Sequence, residues 1–280
     1  MKPYKTITVF LNTMALLFCL LYLFPLYIIV VNSFKNRAEL NESVLALPKS
    51  FDIQYYRFAM ERMDFLNALS NSFIVTLFSI VFIVILASMT AWIFVRANNV
   101  ISRILFMLLV ATMLIPFQAL MMPLMQEMSL IKRTFGIPMI DTLGALIYMN
   151  IGFGASLAVF LYHGFIKSIP QSLEEAATID GCTVFGVFWR IVFPMLKPVT
   201  VTVMVLDVIW TWNDYLLPSL VLSSRQNRTI PLSTASFFGE FTIQWNMAMA
   251  GLLLTIIPVI IFYLCAQKYI IRGIAAGAIK

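Results

Sequence analysis

The sequence predicts an all-α, polytopic membrane protein with six transmembrane helices, and three observations carry that prediction. Of the 280 residues, 61% are hydrophobic and only 11% are charged, far from the roughly half apolar and one quarter charged usage of a soluble domain. The mean hydropathy is +0.92. Six apolar stretches, at about 9–31, 72–95, 104–125, 143–165, 199–222 and 247–267, each reach the roughly 20 residues that a helix needs to cross the hydrocarbon. Backbone groups in lipid must be satisfied within their own segment, so these stretches are expected to be helices; a barrel would show alternating segments of about ten residues.

The first stretch follows Lys2 and Lys5 and has no small-residue cleavage pattern, so it reads as a retained helix rather than a removed signal. Pro25, Pro116, Pro123, Pro218 and Pro258 interrupt the stretches, and each removes a helical hydrogen bond and is expected to kink its helix. Kinked helices leave room for a cavity. Gly144, Gly152 and Gly154 in the fourth stretch are expected to let helices approach closely. The chain divides into 1–68 (first helix and outer loop), a core at 69–267 that contains a polar loop at 167–198, and a tail at 268–280.

Charge excludes more than it identifies. The net charge is +6 and the pI near 9.3, but the basic residues are scattered between apolar stretches. That pattern fits loops beside anionic lipid and not a nucleic-acid surface. Grouping the termini with 96–103 and 163–198 gives ten Lys/Arg on one side against nine on the other, so the positive-inside rule places the termini in the cytoplasm only by a narrow margin. Cys19, Cys182 and Cys265 show no paired spacing, so neither a disulfide framework nor a metal site is inferred.

The polar loop, KSIPQSLEEAATIDGCTVFGVFWRIVFPMLKP at 167–198, has a legible local physics. Ser172 followed by Glu175 is a capping-box pattern, with Glu174 and Glu175 near the positive end of the helix it would start. Gly181 suits the left-handed residue that stops such a helix. Val184, Phe188 and Ile191 then recur at helical spacing and predict a second short helix with one apolar face, ended by Pro194. Ala176 and Ala177 leave a small-residue surface that another backbone can approach. An ordinary amphipathic connection would use the same residues.

The spacing narrows the choice. Glu175-Ala176-Ala177, three residues, Gly181, nine residues, Ile191, one residue, then Phe193-Pro194 resembles the EAA loop of ABC importer permeases, with Phe193 where that family more often has Leu. The segments WTWNDYLLPSLVL at 210–222, IPLSTASFF at 230–238 and QKYIIRGIAAGAIK at 267–280, with Pro116 and Pro123, are similar to the maltose-type carbohydrate importers, so that the resemblance covers nearly the whole chain. It implies the type I importer permease fold in a plasma or inner membrane, with a second related permease, two ATPase subunits and an extracytoplasmic solute-binding protein as partners. It also implies an ATPase-coupling role for Glu174, Glu175, Ala176, Ala177, Asp180, Gly181, Ile191 and Pro194, with Glu175 as the ion-pair partner of the ATPase or the cap that stiffens the loop helix. Arg272, Gly273 and Gly277 would form a regulatory tail.

The chain has no glycine-rich phosphate loop, so no cofactor is expected in it, and ATP and Mg would be held by the partner subunits. Enzyme chemistry is not expected either, because a single histidine without a motif-bearing nucleophile is poor material for it. For a substrate pathway the best candidates lie in the fifth stretch. Asp207, Trp210, Thr211 and Asp214 fall at i, i+3, i+4 and i+7, which predicts one shared helical face. Together with Asn213 they offer hydrogen bonds and an aromatic plane to a sugar, and an intramembrane carboxylate is a functional candidate by default. The alternative for Asp207 is a bond to a neighbouring helix. Asn71, Gln118 and Asn150 are weaker pathway candidates, and His163 is expected to be structural. Two other readings stay open: an ion-coupled carrier using Asp207 and Asp214, and an importer for a polyol or peptide.

Overall fold

In a computed structural model of the chain, the backbone is described for residues 2–238 and 244–278 and the side chains for residues 7–238, 244–265 and 267. The described residues form helices and short turns with no strand. In chain order the α-helices are α1 (Lys2–Asn32), α2 (Arg37–Glu42), α3 (Gln54–Met63), α4 (Phe65–Ala97), α5 (Val100–Ala111), α6 (Phe117–Phe135), α7 (Leu143–Ile166), α8 (Ser172–Ile179), α9 (Val184–Val187), α10 (Phe193–Met195), α11 (Lys197–Asn213), α12 (Leu216–Val221), α13 (Ile230–Thr234) and α14 (Trp245–Ala278).

Four apolar helical segments are long enough to cross a membrane unaided: Ile7–Asn32, Phe65–Ala97, Leu143–Ile166 and Trp245–Cys265. Two more spans are bent pairs, Val100–Leu114 with Phe117–Phe135 at 110° and Val184–Met195 with Lys197–Asn213 at 76°. Counting each pair as one span gives the expected six. The third stretch is therefore broken rather than kinked, and the residues at the break explain it. Ile115 is extended (φ −83°, ψ 119°), as the residue before a proline prefers, and Pro116 (φ −65°, ψ 135°) caps the start of α6. Pro25, Pro123 and Pro258 stay inside their helices. Pro218 disturbs nothing, because it sits in the first turn of α12, where a backbone N–H has no helical partner to lose.

The chain forms two compact units, Met1–Leu66 with Ser233–Ile261, and Asn67–Leu232 with Phe262–Lys280. In the first, Ala59 and Met63 of α3 pack with Phe237, Ala248 and Ala250. The buried Lys35 Nζ donates to Asn32 Oδ1 at 3.0 Å and to the Ser43 carbonyl at 2.9 Å, which ties the chain after α1 back on itself. Most of α1 is exposed, from Ile7 to Tyr27, as a helix that faces lipid or another subunit must be.

The second unit is built on α4, α7 and α11. Ile80, Ile83, Val84 and Ala87 of α4 pack with Ala158, Val159 and Tyr162 of α7 and Val199 and Val203 of α11. The Tyr162 hydroxyl donates to Thr200 Oγ1 at 3.0 Å. Of the three glycines expected to allow close approach, only Gly154 does so: a Cβ there would lie 2.6 Å from Ile83 Cδ1 and 3.1 Å from Asp207 Oδ1, whereas Gly144 and Gly152 have nothing within 4 Å. Alone among the spans, the 33-residue α4 contains neither glycine nor proline.

At the Phe65 end of α4, polar side chains hold the segment before α13. Asn67 Nδ2 donates to the Gln226 carbonyl at 2.7 Å, Asn71 Nδ2 to the carbonyls of Gln226 at 2.8 Å and Arg228 at 3.0 Å, and Ser72 Oγ accepts from Ile230 N at 2.8 Å. The same segment is held from the α6–α7 loop by Asp141, which has a left-handed φ of 59°. Its Oδ1 accepts from the Ser223 and Ser224 amides at 3.0 and 2.9 Å, and Ser224 Oγ also donates to its carboxylate. These bonds, led by that hydroxyl, stabilise the ionised form and hold the Asp141 carboxyl down at about 2, against an ordinary 3.8.

Gly154→Val should lower thermal stability by about 1–3 kcal/mol through overpacking, read as a fall in melting temperature of the purified chain, while Gly152→Val should change little. A depressed folded-state pKa gives stability that is complete above the unfolded value and lost as pH falls through the folded one. Asp141 should therefore support wild-type stability fully above pH 4 and progressively less between pH 4 and 2, and Asp141→Asn should flatten that part of the melting profile.

Candidate functional site

The loop between the fourth and fifth spans forms the helix, turn and second helix that its residues predict. Its start differs from the expected capping box. Gln171 is the N-cap residue and makes no side-chain cap bond; Ser172 is already the first helical residue. Backbone turns carry the start, with Glu174 N and Glu175 N both bonding the Gln171 carbonyl at 3.0 and 3.1 Å. The stop is as expected. Gly181 has φ +84°, its N–H bonds the Thr178 carbonyl, and Cys182 N bonds the Ala177 carbonyl, each at 3.0 Å. This pair of bonds is a Schellman closure around a left-handed glycine.

The two adjacent glutamates face opposite ways. Glu174 is 7% exposed, and its carboxylate accepts from Arg96 Nε at 2.9 Å, a second Arg96 nitrogen at 2.6 Å and Trp92 Nε1 at 2.9 Å. Arg96 also donates to the Ile169 carbonyl at 3.1 Å, so the last turn of α4 holds both the start of α8 and the chain leading into it. Glu175 is exposed and accepts from Gln171 Nε2 at 3.1 Å. Ala176 and Asp180 are exposed with it, while Ala177 is buried. The open face carries large apolar side chains, Ile179 at 86%, Val184 at 69% and Phe185 at 67% exposure.

The second short helix does not end at Pro194. Residues Phe188–Val192 form a turn of π-helix between α9 and α10, and Phe193 N bonds the Phe188 carbonyl across it. The wider turn lets the chain pass a proline that cannot donate, and the helix runs on to Met195 before the 76° bend into α11. Phe188 is fully buried and lies 5.3 Å from the Trp92 ring. Ile191 is half-buried and packs at the edge of the same core.

The fifth-span candidates separate. Asp207 is 6% exposed and faces Gly154, whereas Trp210 is 72% exposed. Asn213 closes α11, its Nδ2 donating to the Ile209 carbonyl at 2.8 Å. Asp214 leaves the helix with an extended backbone (φ −69°, ψ 124°), so the expected face of four residues is at most three long. Its Oδ1 accepts from Leu216 N at 2.9 Å and Leu217 N at 3.4 Å and caps α12. Asn71 is committed to the carbonyls described above. Asn150 is buried, Gln118 and Asn213 are exposed and Thr211 is half-buried. His163 stacks on Phe106 with ring centres 3.8 Å apart, a structural contact. The side chains of Arg272, Gly273 and Gly277 lie outside the described residues.

Sequence reasoning overlooked Arg96 and Trp92. The available signal was an arginine ending an apolar stretch, with an aromatic residue one turn earlier on the same face. Removing Glu174 should be far worse than removing Glu175. Glu174→Ala leaves Arg96 without its counter-charge and should cost about 3 kcal/mol, Glu175→Ala under 1 kcal/mol, and Gly181→Ala about 1–2 kcal/mol from its left-handed backbone, all read by thermal unfolding.

The family described as "Binding-protein-dependent transport system inner membrane component" matches residues 83–276, well over half of the chain. A protein of Thermoanaerobacterium thermosulfurigenes named "Probable starch degradation products transport system permease protein AmyC" is 46% identical over 270 residues, 96% of each chain. The "Melibiose/raffinose/stachyose import permease protein MelC" of Bacillus subtilis is 32% identical over 91% of each. Among solved structures, a chain of a bacterial ABC transporter that imports the polysaccharide alginate superposes with a TM-score of 0.80 at 23% identity, covering 96% of this chain and 98% of that one. The fold is thus that of a type I ABC importer permease. With its broken spans and the short Ser172–Ile179 helix in the loop that precedes α11, the chain belongs to the family of inner-membrane components of binding-protein-dependent transport systems.

Proposed function

We propose that this chain is the permease subunit of an ABC importer that moves a sugar or oligosaccharide across the cell membrane. The observation that carries the reading is the exposed face of the α8–α9 loop. Glu175, Ala176 and Ile179 are presented outward by α8, whose other face is locked to α4, and Val184 and Phe185 by α9 beside it. A polar loop that leaves such apolar side chains uncovered calls for a protein groove to cover them. The occupant of that role is an ATPase subunit, with Glu175 at the rim as its charged contact. ATP and Mg belong to two such subunits; this chain carries no catalysis and supplies the moving pathway.

The remaining assignments follow from that docking face. The side bearing α8 is cytoplasmic and so are both termini, and the opposite side meets the extracytoplasmic solute-binding protein. A second related permease completes the pathway. Trp210, Thr211 and Asn213, at the end of α11, line it from this chain, where an indole plane and an amide suit the apolar face and hydroxyls of a sugar. Asp207 supports that wall from within, and the 268–280 tail reaches the ATPases as a regulatory contact. Sugar as cargo is supported by relatives named for starch degradation products and for melibiose, raffinose and stachyose.

The deciding experiment reconstitutes the chain with its neighbouring subunits in vesicles and measures sugar uptake. Uptake should need ATP, the ATPases and the binding protein together; uptake by this chain alone on an ion gradient would refute the reading. Glu175→Lys should leave membrane insertion intact and reduce ATP-driven uptake by at least about tenfold, an interfacial loss of roughly 1.4 kcal/mol or more. Trp210→Ala should raise the sugar concentration needed for half-maximal uptake while leaving ATPase assembly unchanged.

A further inference from the structure

The docking helix and the far side of the second unit are joined by one element. Helix α4 runs unbroken from Phe65 to Ala97, and each end is fixed by side chains to a different functional segment. At its Ala97 end Arg96 and Trp92 grip Glu174 of α8 through three bonds of 2.6–2.9 Å, and Trp92 also packs on Phe188 in the π turn. At its Phe65 end Asn67, Asn71 and Ser72 grip the 226–230 segment through four bonds of 2.7–3.0 Å. Asn71 and Arg96 are 25 positions apart, about 37 Å along a straight helix, so the two grips lie at opposite faces of the membrane.

The composition of α4 suits it to carry a displacement. The other spans contain a proline, a glycine or a complete break, which are the sites where helices bend. Both grips are polar contacts between partners at least 78 positions apart in sequence, so neither is local helix chemistry. The charge-assisted grip is the stronger kind, and it is shielded, with side-chain exposures of 19% for Arg96 and 9% for Glu174.

We propose that α4 is a signalling strut: through Glu174–Arg96/Trp92 at one end and Asn67/Asn71/Ser72 at the other, it couples the ATPase-docking helix to the 226–230 segment on the binding-protein side. The proposal rests on the permease reading above. Glu174 is then a positioning residue that acts through α4, in contrast to the outward Glu175. The 226–230 segment receives the input at its exposed Gln226 and is braced on its other side by the Asp141 carbonyl, which accepts from Asn227 Nδ2 at 2.6 Å. Arrival of a loaded binding protein shifts that segment, α4 moves as one body, and α8 repositions the docked ATPase. Coupling of this kind requires a contiguous element whose two arrangements both sites bias.

The test measures how strongly sugar-loaded binding protein stimulates ATP hydrolysis by the complete complex in vesicles. Asn71→Ala and Glu174→Gln should each lower the stimulation factor by about fivefold or more, although Asn71 lies far from the ATPases. Because they act in series on one element, the double variant should be no worse than the worse single. Phe82→Gly with Leu86→Gly softens α4 at side chains that are 45% and 48% exposed and take part in neither grip. It should lower stimulation equally while the complex still assembles, and it decides the matter if either grip variant fails to assemble. Wild-type stimulation in the Asn71 variant or the softened helix, or a double variant whose loss is the product of the single losses, would overturn the strut. A wild-type complex with no stimulation by binding protein would instead overturn the permease reading itself.

Discussion

The constraint on which the rest of this structure depends is that hydrocarbon offers a backbone no hydrogen-bonding partner. It makes the chain helical before any side chain is considered, and it turns each helical break into a local problem with a visible solution. At Asp214 the carboxylate takes up the amides of Leu216 and Leu217. At Pro116 the missing donor falls at a helix start, where no donor is needed. Around Pro194 a π turn reroutes the ladder. At these three breaks a side chain, a proline or a wider turn absorbs the irregular backbone.

Within that frame the polar side chains do the specifying. Glu174 and Glu175 are chemically identical neighbours, yet the 100° step of the helix sends one onto Arg96 and the other to the surface. One carboxylate is structural and the other remains available to a partner. The same division applies to Asp207, turned inward against Gly154, and Trp210, turned outward. A helix that must both hold the fold and meet other subunits separates those duties by face.

Much of this was legible in the residues. Hydrophobic length located the four unbroken spans within several residues but missed the ends of the two bent ones by about ten or more; Gly181 announced its left-handed turn, and the spacing from Glu175 to Pro194 pointed to the family. What was not legible had physical reasons. A proline in an apolar run reads the same whether it stays inside a helix, as Pro25 does, or stands at a break and starts the next one, as Pro116 does. The capping box failed because Gln171 was already close enough to begin the turn through its carbonyl. The partner of Glu174 could not be found from the loop, since Arg96 is 78 residues away. Helical periodicity carried Asp214 onto the face of Asp207 only because periodicity cannot see where a helix stops.

The exposed first span has a further consequence. Ile7–Asn32 is 26 residues long, about 39 Å as a helix, against a hydrocarbon core of about 30 Å. Wherever its exposed face meets lipid and not another subunit, α1 must settle that mismatch with the bilayer, by leaning, by bending near Pro25 or by thickening the bilayer around it. Membrane thickness thereby becomes a term in the folding of the first unit, and acyl-chain length a means of tuning it without altering a residue.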